Sequence, residues 1–292
     1  MLSQPYQDNV TTLLEKIEEA EAVVVGGAAG MSSAAGYNWY RTDELFMKYF
    51  GEFADKYDIE SIFYGFYYRF ETREERWAYI ATLIKFVYDS DAGQPYLDLF
   101  QLLQDKDYFI VTTNQDTQFS KVFPKEKVSA IQGDWRYFQC SDCCHDQVYL
   151  NKEQVENMYR NIEGTRIPTE LIPTCPKCGQ DMEPWVRSRV FLEGSFFRSE
   201  LYKFQAYLMK NKYNKILFLE LGVGMMTPMF IKEPFWEMTY SLPNAHYITI
   251  NPKDAVVPRD IEKKGLAIKE DIAHVLQEAL IMRGKTGRIV YQ

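Results

Sequence analysis

Histidine is scarce in this chain: three residues in 292, at His145, His246 and His274. Imidazole is the side chain that ordinarily titrates near neutral pH, so chemistry resting on a histidine base has little to draw on. A basic excess is missing as well. The formal net charge is −8 and the pI about 5.1, which gives no electrostatic footprint for a nucleic-acid backbone and argues against DNA or RNA as a partner. No run of 18 or more apolar residues occurs, and no apolar segment follows a basic N-terminus. A membrane partner is therefore not expected, and the expected location is cytoplasmic. Cysteine is limited to five residues, four of them in two close pairs. In a reducing compartment that clustering points to a metal rather than to disulfides.

What is present is organised around residues 22–41, AVVVGGAAGMSSAAGYNWYR. Val23, Val24 and Val25 read as a strand buried on both faces. It runs into Gly26, Gly27, Ala28, Ala29 and Gly30, a loop almost without side chains. Such a loop lets a pyrophosphate lie against backbone N–H groups, and a helix opening near Ser32 would aim its positive end there. Small residues at a tight turn also serve packing alone, and the spacing is not the usual G-x-G-x-x-G.

Four further strands are expected: residues 108–112 (YFIVT), 128–131, 215–221 (KILFLEL) and 246–250 (HYITI). Each ends in a polar or glycine-rich turn, and helices are expected near residues 6–21, 77–87, 96–104 and 270–282. Aromatic residues crowd residues 42–70, a helical stretch suited to core packing. Strands alternating with helices describe an open parallel sheet, whose ligands bind outside the carboxyl ends of the strands. Gly27, Asn114, Gln132, Gly222 and Asn251 would gather there.

Between the third and fourth strands stand Cys140-x-x-Cys143 and, 31 residues on, Cys175-x-x-Cys178. Two such knuckles can supply four thiolates tetrahedrally to Zn²⁺, leaving no open position, so the zinc is expected to be structural. Cys144 adjoins Cys143 and could replace it. A helix is expected at residues 152–161 within this module.

These motifs resemble the sirtuins, NAD-consuming enzymes, over nearly the whole chain. The family's G-A-G-x-S and following G-x-x-x-x-R are matched by Ala28-Ala29-Gly30-Met31-Ser32 and by Gly36 to Arg41, and its T-Q-N-x-D by Thr112-Thr113-Asn114-Gln115-Asp116. Its zinc ribbon is matched by the two knuckles, its G-T/S-S by Gly222-Val223-Gly224, and its I-N by Ile250-Asn251. The resemblance implies an α/β fold, a Rossmann-like parallel sheet with an inserted zinc-ribbon and helical small domain. Residues 1–41, 75–135 and 187–292 would form the Rossmann-like NAD-binding part, 42–74 the helical part of the small domain, and 136–186 the ribbon. It also implies NAD as substrate, with Gly27, Ala28, Ala29, Ser32, Tyr40 and Arg41 at the first loop. Thr113, Asn114, Gln115, Asp116 and Gln132 would serve the next strand ends, and Gly222, Gly224, Met225, Asn251 and Ile272 the later ones.

The departures carry as much as the matches. Sirtuin deacylases place histidine-glycine after the third strand, where this chain has Gln132-Gly133; their P-D-F is Asn38-Trp39-Tyr40, and their apolar substrate strip is Val186-Arg187-Ser188-Arg189. These changes resemble the macrodomain-linked sirtuins called class M. That resemblance implies ADP-ribose transfer to a lipoylated carrier protein like that of glycine cleavage, and a macrodomain ADP-ribosyl hydrolase as a second partner. Asn114, Asp116 and Gln132 are the expected catalytic residues. Glutamine cannot take a proton from a ribose hydroxyl, whereas an attacking carboxylate, with a pKa near about 4, needs no base. A lysine deacylase and an NAD-binding module without turnover are the alternatives.

Overall fold

The computed structural model describes residues 4–287, with side chains to residue 284. Its strands are β1 (Ala22–Gly27), β2 (Tyr108–Thr112), β3 (Val128–Ala130), β4 (Gly133–Cys140), β5 (Tyr149–Leu150), β6 (Met182–Val186), β7 (Ile216–Leu221), β8 (Ala245–Ile250) and β9 (Gly265–Ile268). Its helices are α1 (Gln4–Glu19), α2 (Ala29–Ala34), α3 (Glu44–Tyr57), α4 (Ile62–Tyr67), α5 (Arg73–Asp89) and α6 (Gln94–Leu103). They continue with α7 (Gln118–Val122), α8 (Lys152–Arg160), α9 (Ser195–Asn211), α10 (Lys232–Ser241) and α11 (Ile272–Gly287).

Every residue of β1 is buried, because β1 is central in the main sheet and is covered on both faces. That sheet runs β3-β2-β1-β7-β8-β9, and every neighbouring pair is parallel. The order reverses between β1 and β7, which opens a crevice at their carboxyl ends. The sequence reading held five of the six strands. It missed β9, an edge strand in which only Ile268 is fully buried, so its apolar pattern is faint.

One apolar core fills the α1, α6 and α11 side of the sheet, with Val10, Leu13, Ile110, Leu219, Ile248 and Leu276 wholly buried. A separate core lies on the other face around Val24, Phe218, Phe235 and Tyr247.

A third core belongs to a smaller unit, in which β5-β4-β6 form an antiparallel sheet. Phe46, Phe50 and Phe53 of α3 and Trp77, Tyr79, Ile80, Leu83 and Ile84 of α5 pack there with Phe138, Val155 and Met158. The expected boundary at residue 75 cuts through this packing: α5, read from the sequence as part of the main sheet's domain, contributes its buried residues to the smaller core. Thr72 and Glu75 form a reciprocal capping box at the start of α5, which satisfies orphan N–H groups on a helix buried nearly all round. The aromatic stretch divides, since Phe63, Tyr64 and Tyr67 on α4 are exposed. Among the described residues no helix is long and apolar enough to cross a membrane.

Candidate active site at the sheet's carboxyl edge

The loop after β1 and the loop after β7 touch backbone to backbone. Gly30 N–H donates to Gly222 O at 3.1 Å, and Ala28 N–H to Leu221 O at 3.1 Å. A Cβ on Gly30 would lie 2.6 Å from Gly222 Cα, and Gly222 has φ +69°. Both positions therefore require glycine, one for approach and one also for conformation. Gly27 is equally confined, since a Cβ there would lie 2.3 Å from the Phe119 ring. The helix expected near Ser32 begins earlier, at Ala29, and is only six residues long.

Ser32 is wholly buried inside that helix, and its hydroxyl is engaged within the protein. Its Oγ–H donates to Asp116 Oδ2 at 2.5 Å. The same oxygen accepts from Asn114 Nδ2 at 2.9 Å and lies 3.3 Å from Tyr96 Oη. A hydroxyl gives one hydrogen bond and receives two, so Tyr96 is the donor in the last contact. Asn114 Nδ2 also donates to Ala28 O at 3.0 Å. Both amide protons are thus spent within the protein, and Oδ1 is the acceptor that Asn114 can present to a ligand. Burial pushes the Asp116 carboxyl above its ordinary range, with Ser32, the Gln118 N–H and Trp39 pulling part of the way back. Tyr96 was missed in the sequence, where it stands in an apolar helical run and carries no motif.

Gln115 Nε2 donates to Gln132 O at 3.0 Å, which ties the ends of β2 and β3 together. Thr113 N–H donates to Gly27 O at 3.2 Å, bringing Thr113 to the same edge. The half-buried Gln132 side chain makes no hydrogen bond to another described residue. Arg187 N–H donates to Gln132 O at 2.8 Å, so the segment after β6 runs beside it. The Arg187 guanidinium pairs with Glu193 at 2.5 Å and lies over the Phe191 ring at 4.3 Å.

At the other half of the edge Asn251 Nδ2 donates to Val223 O at 3.1 Å, and Met225 N–H to Asp254 Oδ2 at 3.3 Å. Gly224 stands against the same carboxylate, while Ile272 is buried in the core at the start of α11. Tyr40 and Arg41 are exposed on the approach to α3, Tyr40 packing on Phe63 at 4.9 Å between ring centres. None of the three histidines joins this edge: His145 sits at the cysteine cluster, His246 near the start of β8, and His274 stacks on Tyr6.

The cysteine cluster corrects the expected ligand set. Sγ atoms of Cys140, Cys144, Cys175 and Cys178 lie within 4.8 Å of one another, with Cys140–Cys178 at 3.5 Å and Cys144–Cys175 at 3.7 Å. A tetrahedral Zn²⁺ with Zn–S of about 2.3 Å needs S···S of roughly 3.8 Å, so these four residues fit zinc. Cys143 is not among them; its Sγ points to Val190 O at 3.2 Å. The reason is local. In the second knuckle the left-handed residue after the ligand is Gly179, φ +74°, but in the first the left-handed residue is Cys143 itself, φ +48°. The chain turns at Cys143 and delivers Cys144 to the cluster.

No family model matches the chain. It is 35% identical over 268 residues to a Staphylococcus aureus protein named protein ADP-ribosyltransferase, covering 90% of this chain and 84% of that one. It is 28% identical over 290 residues to a Fusarium oxysporum f. sp. cubense protein named probable bifunctional ADP-ribose hydrolase/ADP-ribosyltransferase, covering 92% of this chain but 47% of that longer relative. Among solved structures it is similar to Sir2Tm bound to a propionylated peptide, with a TM-score of 0.59, 15% identity and coverage of 94% and 98%. A Sir2 homologue in complex with NAD gives a TM-score of 0.58, 17% identity and 94% coverage of each chain. With glycines meeting at the switch point, polar residues at the strand ends and a four-cysteine ribbon, the chain belongs to the protein ADP-ribosyltransferase family and carries it on a sirtuin fold.

Proposed function

We propose that this NAD-dependent ADP-ribosyltransferase modifies an aspartate or glutamate carboxylate of a lipoylated carrier protein, one like the glycine cleavage carrier, in the cytoplasm. The observation that carries the reading is Gln132. Its free amide stands where a histidine base would be needed for deacylation, and among the described residues no histidine lies at this edge. A carboxylate oxygen bonds to the anomeric carbon as the bond to nicotinamide breaks. Nicotinamide leaves neutral with the electron pair, the product is an ester, and no proton has to be removed. Asn114 Oδ1 and the Gln132 amide suit the ribose hydroxyls, and the backbone N–H groups of the glycine loop suit the pyrophosphate. The reacting end then lies over β1, β2 and β3, and the adenosine end over the loops after β7 and β8. Cys140, Cys144, Cys175 and Cys178 would hold a structural Zn²⁺ that keeps the ribbon folded.

A macrodomain ADP-ribosyl hydrolase is the proposed counterpart, since a transferred ester needs an enzyme to remove it. The name of the Fusarium relative, which joins both activities, supports that pairing. The test follows ADP-ribose from labelled NAD onto a lipoylated carrier and, in parallel, acetyl release from an acetyl-lysine peptide. The expected result is carrier labelling that neutral hydroxylamine removes, lost by about 100-fold or more in Asn114→Ala and strongly reduced in Gln132→Ala. Gln132→His is expected to remain poor on the acetyl-peptide. Robust wild-type deacetylation without carrier labelling overturns the proposal.

A further inference from the structure

Glu220 on β7 and Lys232 at the start of α10 are paired at 2.6 Å, and neither side chain has any exposure to solvent. Fold stability gives no reason for the pair. Taking two charges out of water costs enough that a well-packed apolar pair of similar volume generally serves as well or better. Lys232 is also at the wrong end of its helix, because a cation is disfavoured at the positive N-terminus. What the pair does have is a third partner that an apolar residue could not hold. Lys232 Nζ donates to the backbone carbonyl of Asp254, in the loop after β8, at 3.0 Å.

The rest of the circuit closes around that carbonyl. Glu220 Oε1 accepts from Thr249 Oγ1 at 2.8 Å and Oε2 from Tyr247 Oη at 2.5 Å, which fixes the carboxylate against β8. Asp254 N–H donates to Asn251 Oδ1 at 3.0 Å. The Asp254 carboxylate accepts from Met225 N–H, and Asn251 Nδ2 reaches Val223 O. The buried pair thus anchors the loop at residues 251–254 through the Asp254 carbonyl, and the Asp254 and Asn251 side chains of that loop hold the loop at residues 222–225, on the half of the edge away from Asn114.

We propose that Glu220 and Lys232 are positioning residues for the adenosine half of NAD, holding the loops after β7 and β8 at the separation which that half requires. The inference rests on the NAD reading above. It predicts a split: loss of the pair weakens dinucleotide binding and leaves the reacting centre at Asn114 and Gln132 intact.

The test compares wild type, Lys232→Met, and the double variant Glu220→Gln with Lys232→Met. The double variant removes both charges with only one terminal atom lost at position 232, so it remains informative if the single variant fails to fold. Affinities for NAD and for ADP-ribose are measured by calorimetry, and kcat and KM for NAD by nicotinamide release. The expected result for the double variant is a roughly 10-fold weaker affinity for both ligands and a matching rise in KM. Its kcat stays within about twofold of wild type and its melting temperature close to wild type. Unchanged affinity and KM in a folded double variant overturn the positioning role while leaving the NAD reading in place. A wild-type protein that binds neither NAD nor ADP-ribose overturns the NAD reading and this inference with it.

Discussion

A hydroxyl has one proton to give and two lone pairs to fill, and Ser32 uses all three inside the protein. The motif around it was legible in the sequence, but the direction of its side chain was not, because nothing in A-A-G-M-S says which face of a six-residue helix turns inward. The cysteines show the same limit at closer range. Spacing located a four-cysteine cluster able to hold a metal but left Cys144 only as the alternative to Cys143, since the left-handed turn at Cys143 is a backbone property. Cys144→Ser is expected to abolish zinc retention and lower the melting temperature, while Cys143→Ser keeps about one zinc per chain. Metal analysis of the purified proteins after exhaustive dialysis decides between them; equal zinc in both would return the ligand role to an open question.

Elements bring constraints that single residues do not reveal. Five strands of the main sheet and most helices were legible because burial imposes period and punctuation; β9 escaped because an edge strand has few positions to bury, and β4, β5, β6, α7, α9 and α10 were not read either. Gly222 joins two elements, so its replacement acts on both. Gly222→Ala would force a Cβ to 2.5 Å from Gly30 Cα and strain a positive φ. The expected effect is a stability loss of about 1–3 kcal/mol with severe loss of NAD binding, read by urea denaturation and calorimetry. At the start of α5, burial works to raise the Glu75 carboxyl, but hydrogen bonds from Tyr57, Lys56 and Thr72 win and hold it at about 2, below the usual 4.5. A depressed carboxylate contributes fully above its unfolded value and loses that contribution as pH falls through its folded one. Melting curves should therefore show Glu75→Gln less stable than wild type at pH 7. The difference is expected to shrink between about pH 4.5 and pH 2; a constant difference across that range would refute the linkage.

At the scale of the whole molecule, the sequence reading placed the division into a sheet and a ribbon-bearing unit, but drew the seam at residue 75. Residue 75 lies beside no glycine or proline, in the first turn of a helix whose apolar residues give no direction, so only packing shows that α5 belongs with α3 and α8. The meeting of Gly30 with Gly222 has a consequence in time. The two residues are 192 positions apart (222 − 30), and the smaller core, from Phe46 to Val186, lies entirely between them. During synthesis from the N-terminus, the cysteine-bearing unit has its full complement of residues before β7 exists, while β1 waits with one edge unpaired. Domains generally fold as units as they emerge. The nucleotide crevice is then completed only after the smaller unit. Ribosome-stalled chains of which residues up to about 190 have left the exit tunnel should resist protease across residues 46–186 when zinc is supplied, and NAD should protect the glycine loop only once residues beyond 254 have emerged.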